Sequence, residues 1–344
     1  MEPTTLAVDL AKTVFQVAVS RRPGVTSETH RLRRGQVAAF FATYPRSRIV
    51  MEACGSANYW GRKFMAMGHD VVLLPPSQVH PYVRRNKTDS ADAKALLEAV
   101  RNDAIRPVPI KSVGQQVLTS LHRFRASWIT QRTARINTVR GVLRELGILI
   151  PVGATRVVPA VATLVEDADS ELPDALRHTL WQACGEIREL ERRIKEVSLQ
   201  ITSVGKQFPA YPRLRTIPGI GPLTATALIG FVGDVRRFAT GRHFASYLGL
   251  TPTEHSSGLK RRLGRISKRG DVYLRTLLVH GARSVLLWSP RRRNPERLRV
   301  WAMDVEKRTG FNKAAVALAN KLARIVWAVW RDGDGVYVPR PTAE

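Results

Sequence analysis

The sequence predicts an α/β domain followed by helices, and three observations carry that prediction. Short Val-rich runs alternate with helical stretches up to about residue 111. From Ser112 the strand signals stop and apolar residues recur three and four apart. Beyond Phe208 the composition shifts to Gly, Pro and Arg around further helical patterns. The expected divisions are therefore 1–111, 112–205 and 206–344.

Residues 4–20 (TTLAVDLAKTVFQVAVS) hold two apolar runs separated by Lys12 and Thr13, as a hairpin of strands would. A third strand is expected at 29–32, a helix at 36–44, buried strands at 48–51 and 70–74, and a helix at 57–67 between those two. Residues 89–100 (DSADAKALLEAV) close the domain as a helix with Thr88 as its N-cap. In the long basic helix that follows, Val117, Leu121, Phe124 and Trp128 give way to Ile136, Val139, Leu143 and Leu146. Residues 151–159 interrupt it, and a second helix carries Ile187, Leu190, Ile194, Val197 and Ile201 at heptad spacing. That seam suits either a dimeric coiled coil or a hairpin of two helices within one chain. The last part is read as mostly helical, with patterns at 223–231, 273–286 and 312–330. The apolar positions of 312–330 are expected to be core.

Charge bounds the function. The 55 Lys and Arg against 28 Asp and Glu leave +27, spread too widely for one basic tail, so a polyanion is the expected partner. No apolar run approaches the roughly 20 residues of a spanning helix, and no signal-peptide core opens the chain. Cys54 and Cys184 are far apart and form no CxxC, which argues against a disulfide framework or a zinc site. A soluble cytoplasmic protein is expected, without a membrane partner.

Four acids stand where nuclease chemistry needs them. Asp9 ends the first strand, Glu52 ends the central strand, and Asp89 and Asp92 lie three apart on one helix face. Neighbouring strands bring their carboxyl ends together, and a helix across them gathers four carboxylates, an oxygen-only set that favours Mg²⁺ or Mn²⁺. Two such ions can hold the attacking and leaving oxygens of a phosphodiester. Singly, each acid also reads as a surface charge or helix cap, but Asp9 between Val8 and Leu10 is costly to bury without a partner. The order of these acids points to a ribonuclease-H-like nuclease architecture.

Two further stretches carry chemistry. Residues 217–225 (IPGIGPLTA) place Gly219 and Gly221 before an apolar helix, as in a helix-hairpin-helix whose backbone N–H groups meet a DNA phosphate; a tight turn is the plainer reading. In residues 252–285, Ser256 and Ser257 precede Gly258, with Lys260, Arg261, Arg262, Arg265, Lys268 and Arg269 close behind. Such a setting draws a phosphate to a serine hydroxyl and stabilises its developing charge. On chemistry alone that serine is either a nucleophile needing activation or a phosphate hydrogen-bond donor.

Taken together, VDLAKTVFQVAV, MEACGSANYW, NKTDSADAKAL, IPGIGPLTATALIGFVGD and HSSGLKRRLGRISKRGDVYLRTLLVHGAR resemble the DEDD transposases of insertion sequences, the IS110 family and more closely its IS1111 branch, described as bridge-RNA-guided recombinases. The resemblance runs from about Leu6 to near Trp330. It implies a RuvC-like N-terminal domain, a dimerising coiled-coil middle and a C-terminal transposase domain. Asp9, Glu52, Asp89 and Asp92 match the family's metal-binding acids, and Ser257 matches its nucleophile, with Ser256 as the alternative. It further implies a covalent phosphoserine link, a homodimer assembling to a tetramer whose active sites draw on different subunits, and a structured noncoding guide RNA that pairs with double-stranded donor and target DNA. The chain departs from many relatives at Leu259, where a second glycine is common, and at Thr253 followed by Glu254. A metal-dependent nuclease of the Holliday-junction type and a nucleic-acid packaging protein are the competing expectations.

Overall fold

The structure is a computed structural model that describes residues 4–23, 25–83, 89–258, 260–291 and 296–341, without the side chains of residues 89, 90 and 291. Thr88, Arg84, Arg85, Lys87, Leu259, Arg292 and Arg293 lie outside the described residues. The chain divides into two compact units, Met1–Gln115 with Val232–Ala239, and Gln116–Phe231 with Thr240–Glu344. No helix among the described residues is long and apolar enough to cross a membrane.

The first unit is built on β1 (Thr5–Leu10), β2 (Val14–Ser20), β3 (Glu28–Arg33), β4 (Arg48–Glu52) and β5 (Asp70–Leu74). They form one sheet in the order β3-β2-β1-β4-β5. The first three pair antiparallel, as short connections require, while β4 and β5 join parallel through crossovers. The helices are α1 (Val37–Ala42), α2 (Ala57–Ala66), α3 (Pro76–Val79) and α4 (Asp89–Ala99). Strand periodicity splits the core in two. Leu6, Val8, Ile49 and Met51 pack with Phe41, Trp60 and Phe64 of α1 and α2, whereas Ala7, Ala18 and Val50 pack with Ala93 and Leu96 of α4. Each strand and helix expected in this half is present within about two residues of its predicted ends.

Helices dominate the second unit: α5 (Val113–Glu145), α6 (Ala154–Glu166), α7 (Asp174–Gly205), α8 (Ala210–Leu214), α9 (Pro222–Val232) and α10 (Gly241–Tyr247). A small hairpin, β6 (Pro252–Glu254) with β7 (Leu263–Ile266), precedes α11 (Val272–Trp288), α12 (Arg297–Thr309) and α13 (Phe311–Arg331). Helices α5 and α7 run antiparallel, since Arg135 pairs with Glu186 at 2.5 Å while Arg125 Nε, earlier on α5, donates to Ser198 Oγ, later on α7, at 2.9 Å. Ile136, Val139 and Leu143 meet Leu180, Cys184 and Ile187 across that seam, so the hairpin within one chain accounts for at least this part of the heptad pattern.

Three local expectations change. Residues 154–166 form a helix despite Pro159 in its interior. The proline removes one N–H and costs about 3 kcal/mol. Val157 and Val161, both fully buried in the cluster that α6 shares with α5 and α7, contribute roughly 1.5–3 kcal/mol each and offset it. In the first half of α5 the buried residues are Leu118, Thr119 and His122, while Phe124 is 59% exposed. The basic loop after Thr251 is a strand hairpin rather than irregular chain. By contrast, α13 buries Leu318, Leu322 and Val326 as expected.

His122 explains why α5 buries a polar residue. Its Nε2 bonds Thr226 Oγ1 at 3.0 Å and its Nδ1 meets Tyr273 Oη at 3.0 Å, tying α5 to α9 and α11. Because the Thr226 hydroxyl donates to the Pro222 carbonyl at 2.7 Å, it accepts from Nε2–H, and Nδ1 accepts from tyrosine. That network fits a neutral ring. Burial first, and the nearby Arg125 charge second, push the imidazole down to about 4. A depressed folded-state pKa means the unfolded chain takes up the proton first, so this stability is present above about pH 6.5 and is lost as pH falls toward 4. Urea unfolding at pH 7 and pH 5 is expected to show wild type losing about 2 kcal/mol more than His122→Gln. Equal losses in the two proteins would remove the neutral-ring account.

Candidate active site

The acids are positioned by strand register. Strands β1 and β4 pair parallel from Thr5 with Arg48 to Val8 with Met51, so the next step sets Asp9 beside Glu52 at the carboxyl ends of both strands. Side chains alternate across a sheet, and Asp9 and Glu52 therefore continue the face of Ala7 and Val50, the face covered by α4. On α4, Asp92 stands one turn before buried Leu96, on the stripe that meets the sheet. Asp89 shares that stripe by spacing, and its side chain lies outside the described residues.

Asp9, Glu52 and Asp92 are all half-buried. The Cys54 thiol registers the first two together: burial pushes it up, and the charges of Glu52 and Asp9 push it the same way. Among the described residues no three His, Cys, Asp or Glu side chains form a ready metal cluster. The donor chemistry of Asp9, Glu52 and Asp92, oxygen-only carboxylates, nonetheless suits a hard divalent cation.

The serines sit at the far end of the β6–β7 hairpin. Pairing continues beyond the strands, with His255 N–H donating to the Arg262 carbonyl at 2.9 Å. Ser257 and Lys260 then exchange two backbone hydrogen bonds of 3.3 and 3.2 Å. Gly258 follows Ser257 with φ +55°, the left-handed conformation that such a tight turn asks of glycine.

The two hydroxyls differ in their engagement. Ser256 Oγ donates to Glu254 Oε1 at 2.7 Å and accepts from the Arg262 N–H at 3.1 Å. Glu254 also pairs with Arg261 at 3.3 Å, and the Ser256 bond first, with the Arg261 charge behind it, holds its carboxyl below the usual range. The Ser257 hydroxyl makes no hydrogen bond among the described residues and is exposed. Lys260, Arg261, Arg262 and Arg265 are exposed along the hairpin, and Lys268 and Arg269 are exposed just beyond its base. Glu254, which the sequence marked only as a departure, is thus the residue that organises Ser256 and Arg261.

The glycine motif links α8 to α9. Gly219 has φ +78°, and a methyl group there would stand 2.7 Å from the Gly281 carbonyl oxygen, so its conformation allows close packing against α11. Gly221 faces open space, its nearest neighbour being Arg215 Nη1 at 3.8 Å from a hypothetical methyl. Both glycines line a polar cleft of about 520 Å³ with Arg215, Ser284 and Tyr337. Arg215 was not singled out in the sequence, where one arginine among many carries no signal.

Comparison with known proteins shows the family. A DEDD transposase model matches residues 6–148, which hold the acids. The model of the transposase IS116/IS110/IS902 family matches residues 211–296, which hold the glycine motif and the hairpin. The chain is 42% identical over 331 residues to a probable family 20 transposase of Pseudomonas aeruginosa, covering 96% of this chain and 97% of that one. It is 38% identical over 324 residues to the transposase for insertion sequence element IS1111A of Coxiella burnetii, covering 94% and 88%. To the transposase for insertion sequence element IS1328 of Yersinia enterocolitica it is 35% identical over 330 residues, covering 96% and 97%. With both halves matched and relatives aligned over nearly their whole length, this chain belongs to the IS110 family of insertion-sequence transposases, in its IS1111 branch, and is an enzyme that acts on DNA.

Proposed function

We propose that this transposase cuts and rejoins DNA through a covalent phosphoserine at Ser257, with Mg²⁺ held by Asp9, Glu52, Asp89 and Asp92. The observation that carries the serine assignment is the contrast in the hairpin: Ser256 has its hydroxyl committed to Glu254 and Arg262, while Ser257 presents its own to solvent among cations. For the acids, the support is the register that sets Asp9 beside Glu52 under α4. The sheet order β3-β2-β1-β4-β5, with two antiparallel and two parallel partners, supports a RuvC-like reading of residues 1–111. The proposed regions are this domain, a coiled-coil dimerisation region over 112–205, and a transposase domain over 206–344.

In the proposed step, Ser257 Oγ releases its proton to water or a carboxylate and bonds to phosphorus. The phosphorus–oxygen ester to the departing strand breaks, and that sugar oxygen leaves and takes up a proton. Attack by the sugar hydroxyl of the exchanged strand reverses the sequence and frees the serine, so the energy of the broken bond is conserved. Lys260 and Arg262 offset the charge that develops on the phosphate. A bound divalent ion supplies charge neutralisation to the phosphodiester. Gly221 beside Arg215 offers a sequence-independent phosphate contact of the helix-hairpin-helix kind. Donor and target DNA are chosen by a structured bridge RNA, and a homodimer assembles to a tetramer whose acids and serine come from different subunits.

The deciding experiment incubates the protein, its guide RNA and Mg²⁺ with DNA of its element's ends and runs the products on a denaturing gel. Wild type is expected to give a protease-sensitive covalent adduct and Ser257→Ala none, with its strand cleavage reduced at least about 100-fold. Ser256→Ala should retain the adduct at a rate within roughly tenfold, since it removes a positioning hydrogen bond. Undiminished cleavage by Ser257→Ala would favour hydrolysis by a metal-held water. An adduct lost only in Ser256→Ala would move the nucleophile by one residue.

Asp9→Ala separates chemistry from binding. Cleavage is expected to vanish while retention of the guide RNA in a filter-binding assay stays within about threefold, because cations and not acids hold the RNA. Full cleavage by Asp9→Ala would remove Asp9 from the proposed metal site.

A further inference from the structure

The second unit holds a large groove that neither the acids nor the serine uses. It has a volume of about 950 Å³, within the range of small-molecule sites, and lies between the base of the β6–β7 hairpin and helices α12 and α13. Leu250, Ile266, Trp301, Val316 and Ala317 give it apolar walls. Arg265, Lys313, Lys321 and Arg324 also line it, and among the described residues no carboxylate does. Lys321 Nζ sits 3.8 Å from the centre of the Trp301 ring, and burial together with the Arg324 and Arg297 charges pushes its ammonium pKa down. Such crowding of cations is relieved by an anion.

Two amides add polarity at defined places. Asn312 Oδ1 accepts from Arg283 Nη2 at 2.9 Å, and Asn320 Nδ2 donates to the Leu250 carbonyl at 3.1 Å. This leaves an amide nitrogen from one and a carbonyl from the other for the edge of a planar polar ligand. A flat apolar surface with a donor, an acceptor and surrounding cations matches the three parts of a nucleotide: ring face, ring edge and phosphate.

We propose that this groove binds one unpaired nucleotide of the DNA strand being processed, its base taking the place of the Lys321 ammonium on the Trp301 ring and its phosphates among Lys313, Lys321 and Arg324. Continuity with the hairpin selects DNA as the source. Pro252 and Arg265 at the groove belong to the strands that carry Ser257, which lies five residues beyond Pro252. At strand rise that is roughly 17 Å, about five steps of duplex DNA. The inference rests on the reading that Ser257 acts on DNA. It adds a station that holds a strand unstacked close to the point of exchange.

Fluorescence anisotropy with the full chain tests it, at about 0.3 M salt to weaken the sequence-independent phosphate term. The probes are a labelled 12-base-pair DNA duplex, the same duplex with one bulged thymidine, and the same with an abasic bulge. The thymidine bulge is expected to bind about tenfold tighter than the other two. That advantage should disappear in Trp301→Ala and in Ala317→Phe, which fills the groove, while their plain-duplex affinity stays within about twofold. The proposal fails if wild type binds all three probes equally, if the advantage survives either variant, or if RNA duplexes of the same design, measured alongside, show the bulge preference and the DNA ones do not. Because phosphoserine formation is read separately, a lost preference with an intact adduct refutes the groove alone, and an intact preference without adduct refutes the serine alone.

Discussion

The parallel pairing of β1 with β4 is the constraint on which the acid site depends. Alternation along each strand assigns Leu6, Val8, Ile49 and Met51 to one core and Ala7 and Val50 to the other. A slip of one residue would turn Asp9 toward the Phe41, Trp60 and Phe64 layer, where an ionised carboxylate finds no partner. The apolar residues that hold the register thus also fix which face the acids occupy. Small residues matter on that second face. Ala7, Ala18 and Ala93 keep α4 close to the sheet, and closeness is what brings Asp92 toward the strand ends.

A different economy governs the hairpin. Its residues are exposed, so apolar burial does little for it. Backbone pairing at His255 with Arg262 and at Ser257 with Lys260, together with Ser256 bridging Glu254 and the Arg262 N–H, gives it shape. Glu254 also offsets part of a dense positive field through Arg261. Exposed pairs of this kind are individually weak. The hairpin is therefore an element that nucleic-acid phosphates can reorganise, with the hydroxyl of Ser257 directly before its turn.

Much of the first unit was legible because its strands are apolar runs broken by turn residues, and burial enforces what pattern suggests. The acids were legible as exceptions within those runs. The hairpin was not, since Pro252–Glu254 and Leu263–Ile266 have no alternation of apolar and polar residues to announce strands. Pro159 hid α6, whose stability comes from Val157 and Val161 meeting a helix distant in sequence. The stripe of Val117 and Phe124 announced a helix correctly but not its inward face, which is set by His122 finding Thr226 and Tyr273. Spacing shows that a helix exists, whereas which side it buries depends on partners that spacing does not contain.

The same distinction applies to charge. A surplus of +27 identifies a polyanion as partner but cannot separate cations that track phosphates from cations that finish a site. Geometry separates them. Lys268 and Arg269 stand exposed beyond the hairpin, where any phosphate satisfies them. Lys321 is half-buried against Trp301 beside Arg324, with no acid among the described residues lining the groove. Desolvating a cation without a carboxylate costs stability unless a ligand supplies the anion. A surface whose only need was net charge would gain nothing from that cost, so the groove argues for a defined ligand where composition argues only for a polyanion.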